Sequence, residues 1–292
     1  MHLAIFGRNY KGFEDYISLL FRELEKYDAS VYILNSFYRN ILRECCFEPK
    51  IEGVFETHQD IRDKKVDFMI SMGGDGTFLQ AANIVRDLGI PLIGINIGRL
   101  GFLANIPKSE ISDAVRAIFN HEYTLEERAM LELSCPDSPF WDYPYALNEM
   151  TFQRHGPTMI TVHVDINGEY LNSYWADGLI ISTPTGSTAY SLSAGGPVIS
   201  PGANNFVILP IAPHNLNVRP LVLTDDVELK IRIDARNEQF LATLDSMSEV
   251  MSSHIEMVVK KASFRMKLLN LNFNSFYATL RNKLMWGADK RN

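Results

Sequence analysis

A turn of three glycines around one carboxylate is the segment of this sequence best suited to chemistry. It consists of Gly73, Gly74, Asp75, Gly76 and Thr77. An apolar run at 66–72 precedes it and apolar residues at helical spacing follow it, so the turn is predicted between a strand and a helix. Glycines let the backbone approach a ligand closely, and a helix N-terminus offers N–H groups to an anion. The turn is therefore a candidate phosphate-binding loop.

Asp75 has two interpretations. In an isolated Gly-Gly turn, an acid usually only caps the following helix. A carboxylate beside phosphates is repelled by them, however, unless it binds a cation or accepts a proton from an attacking hydroxyl. Three glycines around the acid, at the carboxyl end of a central strand, favour the second interpretation. The pattern fits a kinase that phosphorylates an alcohol, with Asp75 as the catalytic base.

The two commonest phosphate loops do not occur in the sequence. No GxxxxGK[ST] motif is present, and no GxGxxG motif follows the first predicted strand. A P-loop nucleotide hydrolase and an ordinary Rossmann dehydrogenase are therefore disfavoured.

Residues 177–197 form a second segment, which is rich in small hydroxyl side chains and glycines. Such residues offer many hydrogen-bond partners in a small volume. The apolar lead-in at 179–181 ties the segment to a strand, and Tyr190 adds a ring suited to stacking or to a phosphate contact. We expect a ligand-binding loop rather than a solvated linker. Asn148-Glu149 can bind an amide edge and a ribose diol together, but as an isolated dipeptide it is also an ordinary turn.

The order of predicted elements places these motifs in two domains. Apolar runs at 3–6, 31–34, 66–72 and 90–95 alternate with helical patterns at 13–27 and 78–88. Continuous apolar strands separated by helices indicate a parallel sheet covered on both faces, so residues 1–120 are predicted to form a doubly wound, Rossmann-like α/β domain that binds the phosphate donor.

The second half changes to a period of two. The segments 159–166, 227–233 and 264–268 alternate apolar and polar residues, and Asn167-Gly168 is a hairpin signal. Residues 121–270 are predicted to form an all-β sandwich that binds the second substrate. An amphipathic helix is predicted at 275–286, and the segment 271–292 is expected to pack back on the N-terminal domain, with Lys290 and Arg291 solvated.

Composition limits the class of protein. The chain has 292 residues, 46% hydrophobic and 22% charged, as expected of a folded globular protein rather than a disordered or fibrous one. Its formal net charge of −7 argues against a nucleic-acid partner. No apolar run approaches the roughly 18 residues of a membrane span, and the first residues lack a leader pattern, so we expect a cytoplasmic protein with no membrane partner.

Cysteine and histidine spacing favours neither disulfides nor a protein-held metal. Cys45 and Cys46 are adjacent, which leaves Cys135 without an obvious partner. The seven histidines show no metal-binding spacing such as HExxH.

Taken together and in chain order, the motifs resemble those of the NAD kinase family. The matching segments are 73–77, 98–103, Asn148-Glu149, Asp177-Gly178, 183–190 and 219–221. The resemblance spans nearly the whole chain. The glycine–Asp turn is shared with diacylglycerol, sphingosine and 6-phosphofructo-kinases, so the hydroxyl-rich loop is what narrows the resemblance to NAD.

The resemblance implies phosphorylation of the adenosine-ribose 2′-hydroxyl of NAD by ATP, giving NADP, in a cleft between the two domains. Asp75 would accept the hydroxyl proton. The turn residues Gly73, Gly74, Gly76 and Thr77 would border the ATP phosphates, with Gly76 also lying against NAD. Mg²⁺ or another divalent cation would arrive with ATP rather than occupy a protein cage.

The resemblance also implies the residues that hold NAD. Asn148 would contact the adenine, Glu149 a ribose, and Asp177 the nicotinamide end. The remaining predicted NAD-binding residues are Phe102, Thr185, Thr188, Ala189, Tyr190, Ser193 and Asp245. The family usually has a glutamine two residues after the Asp that matches Asp245, whereas this chain has Met247. Asp245 is thus as consistent with a structural turn as with a ligand contact.

Two other functions remain open from the sequence. A lipid kinase of the same superfamily would need an apolar mouth for acyl chains, and a non-catalytic NAD(P)-binding regulator would keep the pocket without turnover. Family members self-associate through the β-rich half, so a homodimer or homotetramer is expected. The choice between ATP and polyphosphate as donor, and between NAD and NADH as acceptor, stays open.

Overall fold

The computed structural model describes residues 1–8, 12–45, 47–271 and 275–285. Cys46, Trp286 and the predicted solvated tail lie outside the described residues. The chain divides into two compact units, the first made of Met1–Glu127 with Met266–Asn292 and the second of Arg128–Arg265.

The described residues form twenty strands and seven α-helices. The strands are β1 (His2–Gly7), β2 (Ser30–Leu34), β3 (Gly53–Phe55), β4 (Phe68–Gly73), β5 (Leu92–Asn96), β6 (Ile106–Pro107), β7 (Thr124–Arg128), β8 (Leu131–Ser134), β9 (Tyr145–Ala146), β10 (Glu149–Arg154), β11 (Ile160–Ile166), β12 (Glu169–Ala176), β13 (Gly178–Ser182), β14 (Asn205–Ile211), β15 (Leu221–Thr224), β16 (Leu229–Asp234), β17 (Gln239–Leu244), β18 (Met247–Ser252), β19 (Met257–Lys261) and β20 (Met266–Asn270). The helices are α1 (Glu14–Glu25), α2 (Asn35–Glu44), α3 (His58–Arg62), α4 (Asp75–Val85), α5 (Ile111–Phe119), α6 (Tyr190–Ser193) and α7 (Phe276–Leu284).

The first unit is built on a sheet in the order β3-β2-β1-β4-β5-β20-β7, with β6 beside β5. The pairs among β1 to β5 are parallel. All six residues of β4 are buried, so this strand is covered on both faces. The strand order reverses direction between β1 and β4. Ligands of doubly wound sheets bind beyond the carboxyl ends of the strands at such a point, which is where β4 runs into the glycine turn.

Helices α1 and α4 follow the predicted periodicity with one difference. The apolar stripe of α1 is buried as expected, through Ile17, Leu20, Phe21 and Leu24. Helix α4 ends at Val85, earlier than the predicted end near Gly89, because Arg86 leaves the helical region with a φ of 50°. Leu88 therefore belongs to the loop before β5.

The second unit consists of two six-stranded antiparallel sheets. Their orders are β15-β14-β13-β10-β17-β18 and β12-β11-β16-β19-β8-β9. Alternate residues of both sheets meet in one core, for example Phe152 and Ile181 from the first and Val162 and Ile231 from the second. The hairpin between β11 and β12 turns at Asn167 and Gly168, both with positive φ, as the sequence predicts. The fold class predicted from the sequence, a doubly wound α/β half followed by an all-β half with a C-terminal helix, is confirmed.

One alternating segment belongs to a different sheet from the one its pattern indicates. The run at 264–268 reads as a sandwich strand, but β20 lies in the parallel sheet, with Leu268 opposite Leu92 of β5. Leu268 and its neighbour Leu269 are both buried, so β20 is covered on both faces. A period of two in so short a run does not distinguish the two environments.

Helix α7 belongs to the first unit and is shorter than the predicted helix at 275–286. Ser275 caps its N-terminus by accepting a hydrogen bond from the Ala278 N–H at 3.1 Å. Met285 adopts the left-handed conformation after the last turn and is 75% exposed, so it lies off the buried stripe. Among the described residues, no helix combines the length and apolar character that crossing a membrane requires.

Candidate active site

The glycine turn lies at the junction of β4 and α4. Gly74 is the extended residue before the helix, and Asp75 is the first residue of α4. Gly74 and Gly76 are exposed, and a Cβ added to either would meet no protein atom within 4 Å. These two glycines therefore border open space next to a helix N-terminus, which is the environment of an anion site. Gly73 is packed instead, since a Cβ there would lie 2.3 Å from Thr77 Oγ1.

The carboxylate of Asp75 is held by three consecutive backbone N–H groups. Oδ1 accepts from Leu103 at 3.0 Å and from Ala104 at 2.9 Å, and Oδ2 accepts from Phe102 at 2.9 Å. A carboxylate offers about four acceptor positions, two on each oxygen. One position on Oδ2 is thus left for a substrate hydroxyl, and the Asp75 side chain is 30% exposed.

Asn96 and Gly101 shape the loop that holds Asp75. Asn96 is buried, donates to the Arg99 carbonyl at 2.7 Å and accepts from the Gly98 N–H at 2.8 Å. A Cβ on Gly101 would lie 1.9 Å from Asp75 Oδ1. Only glycine at this position lets the loop approach the carboxylate. Gly101 lies in the motif at 98–103 and Asn96 just before it, and neither role was predicted from the sequence.

Phe102 turns its ring toward helix α7. The centroid of its ring lies 6.1 Å from the centroid of the Phe276 ring and 4.7 Å from Lys283 Nζ. Lys283 Nζ in turn lies 3.6 Å from Asp75 Oδ2. Sequence reasoning did not identify Lys283, because a lysine in the last turn of an amphipathic helix carries no distinguishing signal.

In the second unit, the hydroxyl-rich loop has a buried part and an accessible part. The side chains of Thr183 and Ser187 are fully buried and bond to backbone, Thr183 to the Leu147 carbonyl at 2.6 Å and Ser187 to the Pro184 carbonyl at 2.7 Å. Thr185 is also buried and lies 3.4 Å from Arg128 Nη1. The hydroxyls of this part therefore shape the loop.

The accessible part of the loop follows the buried part. Thr188 and Ala189 are half-buried, while Tyr190 and Ser193 are exposed. The Tyr190 hydroxyl accepts a hydrogen bond from Gln153 Nε2 at 3.1 Å, which orients the ring. Of the predicted NAD-binding residues in this loop, these four can meet a ligand directly.

The loop lies directly against Asn148. The Thr183 N–H donates to the Asn148 carbonyl at 2.9 Å, and a Cβ on Gly186 would lie 2.1 Å from the same oxygen. Glycine at 186 thus permits the contact. The structure brings the dipeptide Asn148-Glu149 and the loop together.

Asp245 is the residue that holds Asn148-Glu149 in place. Its carboxylate accepts three consecutive backbone N–H groups, from Leu147 at 2.7 Å, Asn148 at 2.9 Å and Glu149 at 3.1 Å. Asp245 itself has a φ of 51°, in the turn between β17 and β18. Burial raises the pKa of Asp245 to about 6, against the opposing effect of these three hydrogen bonds.

Glu149 is a buried acid beside a second acid. Burial, and then the charge of Asp245, raises the pKa of Glu149 to about 8, although a hydrogen bond from the Tyr190 backbone opposes the shift. Glu149 Oε2 is buried without a hydrogen-bond partner. At neutral pH this side chain is therefore mostly protonated and can both donate and accept.

The raised pKa of Glu149 predicts a specific pH dependence of stability. Between its ordinary value of 4.5 and about 8 the folded protein binds more protons than the unfolded chain, so the free energy of unfolding falls as pH rises. Asp245 acts in the same direction only up to about pH 6. We expect Glu149→Gln to become more stable relative to the wild type between pH 6 and 8, by up to about 1.4 kcal/mol per pH unit.

Urea unfolding of both proteins at pH 6, 7 and 8 measures this effect. Glu169→Gln, at an exposed position of β12, is the matched control and should leave the pH dependence unchanged. If the free energies of unfolding of the wild type and Glu149→Gln changed equally with pH, the raised pKa of Glu149 would be contradicted.

Asp177 is engaged with an arginine on the neighbouring strand. Its Oδ1 lies 2.7 Å from Arg154 Nε, and its carbonyl accepts the Arg154 N–H at 2.9 Å. Both side chains are partly exposed. Arg154 was not identified from the sequence and adds a cation to the predicted nicotinamide end. Within the described ranges, no cluster of three or more His, Cys, Asp or Glu side chains could hold a metal ion.

Both halves of the chain match family models. Residues 21–123 match the ATP-NAD kinase N-terminal domain, and residues 147–271 match the ATP-NAD kinase C-terminal domain. The Asp75 turn and its loop lie in the first match, and the Asn148, hydroxyl-loop and Asp245 segments lie in the second.

Relatives and solved structures agree with this result. The chain is 44% identical to NAD kinase of Cytophaga hutchinsonii over 296 residues and 42% identical to NAD kinase of Bacteroides fragilis over 293 residues, with 100% of each chain covered. It also shares its fold with yeast NADH kinase complexed with NADH (TM-score 0.87, 22% identity, 99% of this chain and 89% of that chain). A second structural match is NAD kinase from Archaeoglobus fulgidus in complex with ATP (TM-score 0.72, 24% identity, 98% of both chains). With both family models matched and full-length relatives at 42–44% identity, the chain belongs to the NAD kinase family.

Proposed function

We propose that this chain transfers the γ-phosphoryl group of ATP to the 2′-hydroxyl of the adenosine ribose of NAD, producing NADP. The observation that carries the proposal is the Asp75 carboxylate. It is held by three backbone N–H groups and keeps one acceptor position free, next to two exposed glycines at a helix N-terminus. A proton acceptor and an anion site are thus adjacent, as transfer of a phosphoryl group to an alcohol requires.

In the proposed reaction, Asp75 Oδ2 accepts the proton of the 2′-hydroxyl. The hydroxyl oxygen uses its electron pair to form a bond to the γ-phosphorus, and the bond from phosphorus to the bridging oxygen breaks, leaving its electron pair on ADP. The N–H groups of Phe102, Leu103 and Ala104 fix the carboxylate before substrate arrives, so little reorganisation is needed during transfer.

The phosphate-donor side of the site is assigned to the glycine turn. The exposed backbone of Gly74 and Gly76 and the N-terminus of α4 would lie along the phosphates of ATP, with Thr77 fixing the turn against Gly73. A divalent cation carried by ATP would neutralise phosphate charge. We expect this cation to arrive bound to ATP, and activity measured with ATP in the presence and absence of Mg²⁺ tests its role.

The NAD side is assigned to the second unit. Asn148 would contact the adenine, Glu149 a ribose hydroxyl, and Asp177 the nicotinamide end. Protonated Glu149 suits a ribose because it donates and accepts at once. Accessibility supports Thr188, Ala189, Tyr190 and Ser193 as ligand contacts, whereas the hydrogen bonds of Thr185 and Asp245 favour positioning roles.

Several properties remain predictions of the sequence. The division at residues 120 and 270 into a donor domain, an NAD domain and a C-terminal helix is tested by limited proteolysis in the presence of ATP or NAD. A homodimer or homotetramer is tested by size-exclusion chromatography with light scattering. A cytoplasmic location is tested by cell fractionation.

The activity is tested by supplying the purified protein with one donor and several acceptors. With Mg²⁺ and radiolabelled ATP, we expect NAD to yield labelled NADP on HPLC, and diacylglycerol to yield no labelled product. Polyphosphate in place of ATP, and NADH in place of NAD, define the donor and acceptor range. Phosphorylated diacylglycerol without NADP would identify a lipid kinase, and NAD binding in calorimetry without NADP would identify a regulator.

A further inference from the structure

Helix α7 brings a cation to the catalytic turn. Lys283 Nζ lies 3.6 Å from Asp75 Oδ2, and the two side chains are 38% and 30% exposed. This distance is longer than an N–H···O hydrogen bond, so the contact is electrostatic and leaves the free acceptor position of Oδ2 available. The two residues are 208 positions apart in sequence, and both belong to the first unit.

The position of Lys283 depends on contacts at the N-terminus and in the middle of helix α7. Ser275 caps the N-terminus of α7, and Leu280 in its middle is buried. The Phe276 ring packs against Phe102, and the ammonium of Lys283 lies 4.7 Å from the centroid of the Phe102 ring. A cation over an aromatic face is attracted to it. Phe102 therefore links the loop that holds Asp75 to the helix that carries Lys283.

A carboxylate that accepts a proton next to ATP needs a compensating charge. Asp75 must be ionised to act as a base, yet the phosphates that lie beside it are also anionic, and like charges at such distances repel strongly. The backbone N–H groups that hold Asp75 contribute only partial charges. A full positive charge within 4 Å of Oδ2 offsets the repulsion directly.

We propose that Lys283 is a positioning residue of the phosphoryl transfer, whose ammonium balances the charge of Asp75 so that the ionised carboxylate and the ATP phosphates can be adjacent. The inference rests on the proposed function and adds a residue from the C-terminal helix to it. When Asp75 Oδ2 takes the 2′-hydroxyl proton, the carboxylate becomes neutral, and the ammonium is left beside the phosphoryl group that is being transferred.

The variants Lys283→Met and Lys283→Arg test the proposal. Methionine keeps an unbranched side chain and removes the charge, so we expect kcat/KM for ATP to fall about 10- to 100-fold, less than for loss of a buried oxyanion donor. The KM for NAD should change by less than about threefold, because most of the predicted NAD contacts belong to the second unit and Lys283 belongs to the first. Arginine keeps the charge and should restore most of the activity. Arg281→Met, at an exposed position of the same helix, should behave as the wild type.

Two further measurements distinguish the proposed role of Lys283 from a purely structural one. Thermal unfolding of Lys283→Met should match the wild type within a few degrees, and activity of Lys283→Ala should recover with added propylamine. If the wild type forms NADP and Lys283→Met is fully active, the inference about Lys283 is overturned and the proposed function is not. A lowered unfolding temperature with no recovery by arginine or amine would overturn it as well. Absence of NADP formation by the wild type would instead overturn the proposed function.

Discussion

Replacing Asp75 with asparagine is expected to lower kcat for NADP formation by about 10²- to 10⁴-fold, the usual contribution of a general base. Asparagine retains one carbonyl oxygen and can still accept from Leu103 and Ala104. Its amide nitrogen would then face the Phe102 N–H, where Oδ2 now accepts, and would offer no acceptor to the ribose hydroxyl. NAD and ATP binding, measured by calorimetry, should survive because every proposed nucleotide contact other than the Asp75 side chain is unchanged.

The matched control is the same substitution at Asp15. This residue also lies in the first turn of a helix of the first unit, but it is exposed and far in sequence from the glycine turn. Asp15→Asn should retain wild-type kcat. Full activity of Asp75→Asn, with an unchanged unfolding temperature in both variants, would remove Asp75 from the mechanism.

The second large loss of kcat is expected from Gly101→Ala, which adds a single methyl group. In Gly101→Ala the new Cβ would lie 1.9 Å from Asp75 Oδ1, so either the loop or the carboxylate must move. Gly101 has no positive φ, and the effect is therefore steric rather than a backbone strain. A displacement of about 1 Å at the reacting group can lower the rate about 10²-fold, and we expect a loss of kcat of that order with little change in the KM for NAD.

Gly53→Ala provides the control for this variant. Gly53 begins the edge strand β3 of the same sheet, and a Cβ there would meet Tyr32 at an ordinary 3.7 Å. It should leave kcat unchanged. If Gly101→Ala turned over as fast as Gly53→Ala, the close approach of the loop to Asp75 would be irrelevant to catalysis.

The local hydrophobic pattern predicted the type of each element better than it predicted which strands pair with each other. The continuous run that ends at Gly73 and the alternation from Ile160 to Ile166 each predicted the correct type of sheet, because burial on two faces or one leaves a direct trace in sequence. The alternating run that forms β20 does not indicate which strands lie beside it. Its place beside β5 depends on residues 176 positions earlier in the chain, since Leu268 pairs with Leu92.

The site could be predicted where its chemistry lies in contiguous motifs. Asp75, the glycines around it and Asn148-Glu149 were found because side-chain type and spacing are local signals. Of the residues that position them, Asp245 was predicted, with its role left open between a ligand contact and a structural turn, and Lys283 was not. Lys283 meets Asp75 through tertiary structure alone, and the three N–H groups that hold Asp245 leave no trace in side-chain identity.

Asp75 in the first unit and Asp245 in the second unit are held in the same way. Asp75 and Asp245 each accept three consecutive backbone N–H groups from a segment distant in sequence. The difference is their accessibility. Asp75 keeps a free acceptor position and is partly exposed, whereas burial raises the pKa of Asp245 to about 6. The first arrangement suits a base and the second a structural support for Asn148-Glu149.

The most direct test of the central claim is a crystal structure of Asp75→Asn with NAD and a non-hydrolysable ATP analogue. We predict the adenosine-ribose 2′-hydroxyl within hydrogen-bonding distance of the side chain at position 75, with the γ-phosphate of the analogue on the opposite side of that hydroxyl. A complex in which the 2′-hydroxyl lies out of reach of position 75, or in which another hydroxyl takes its place there, would contradict the account.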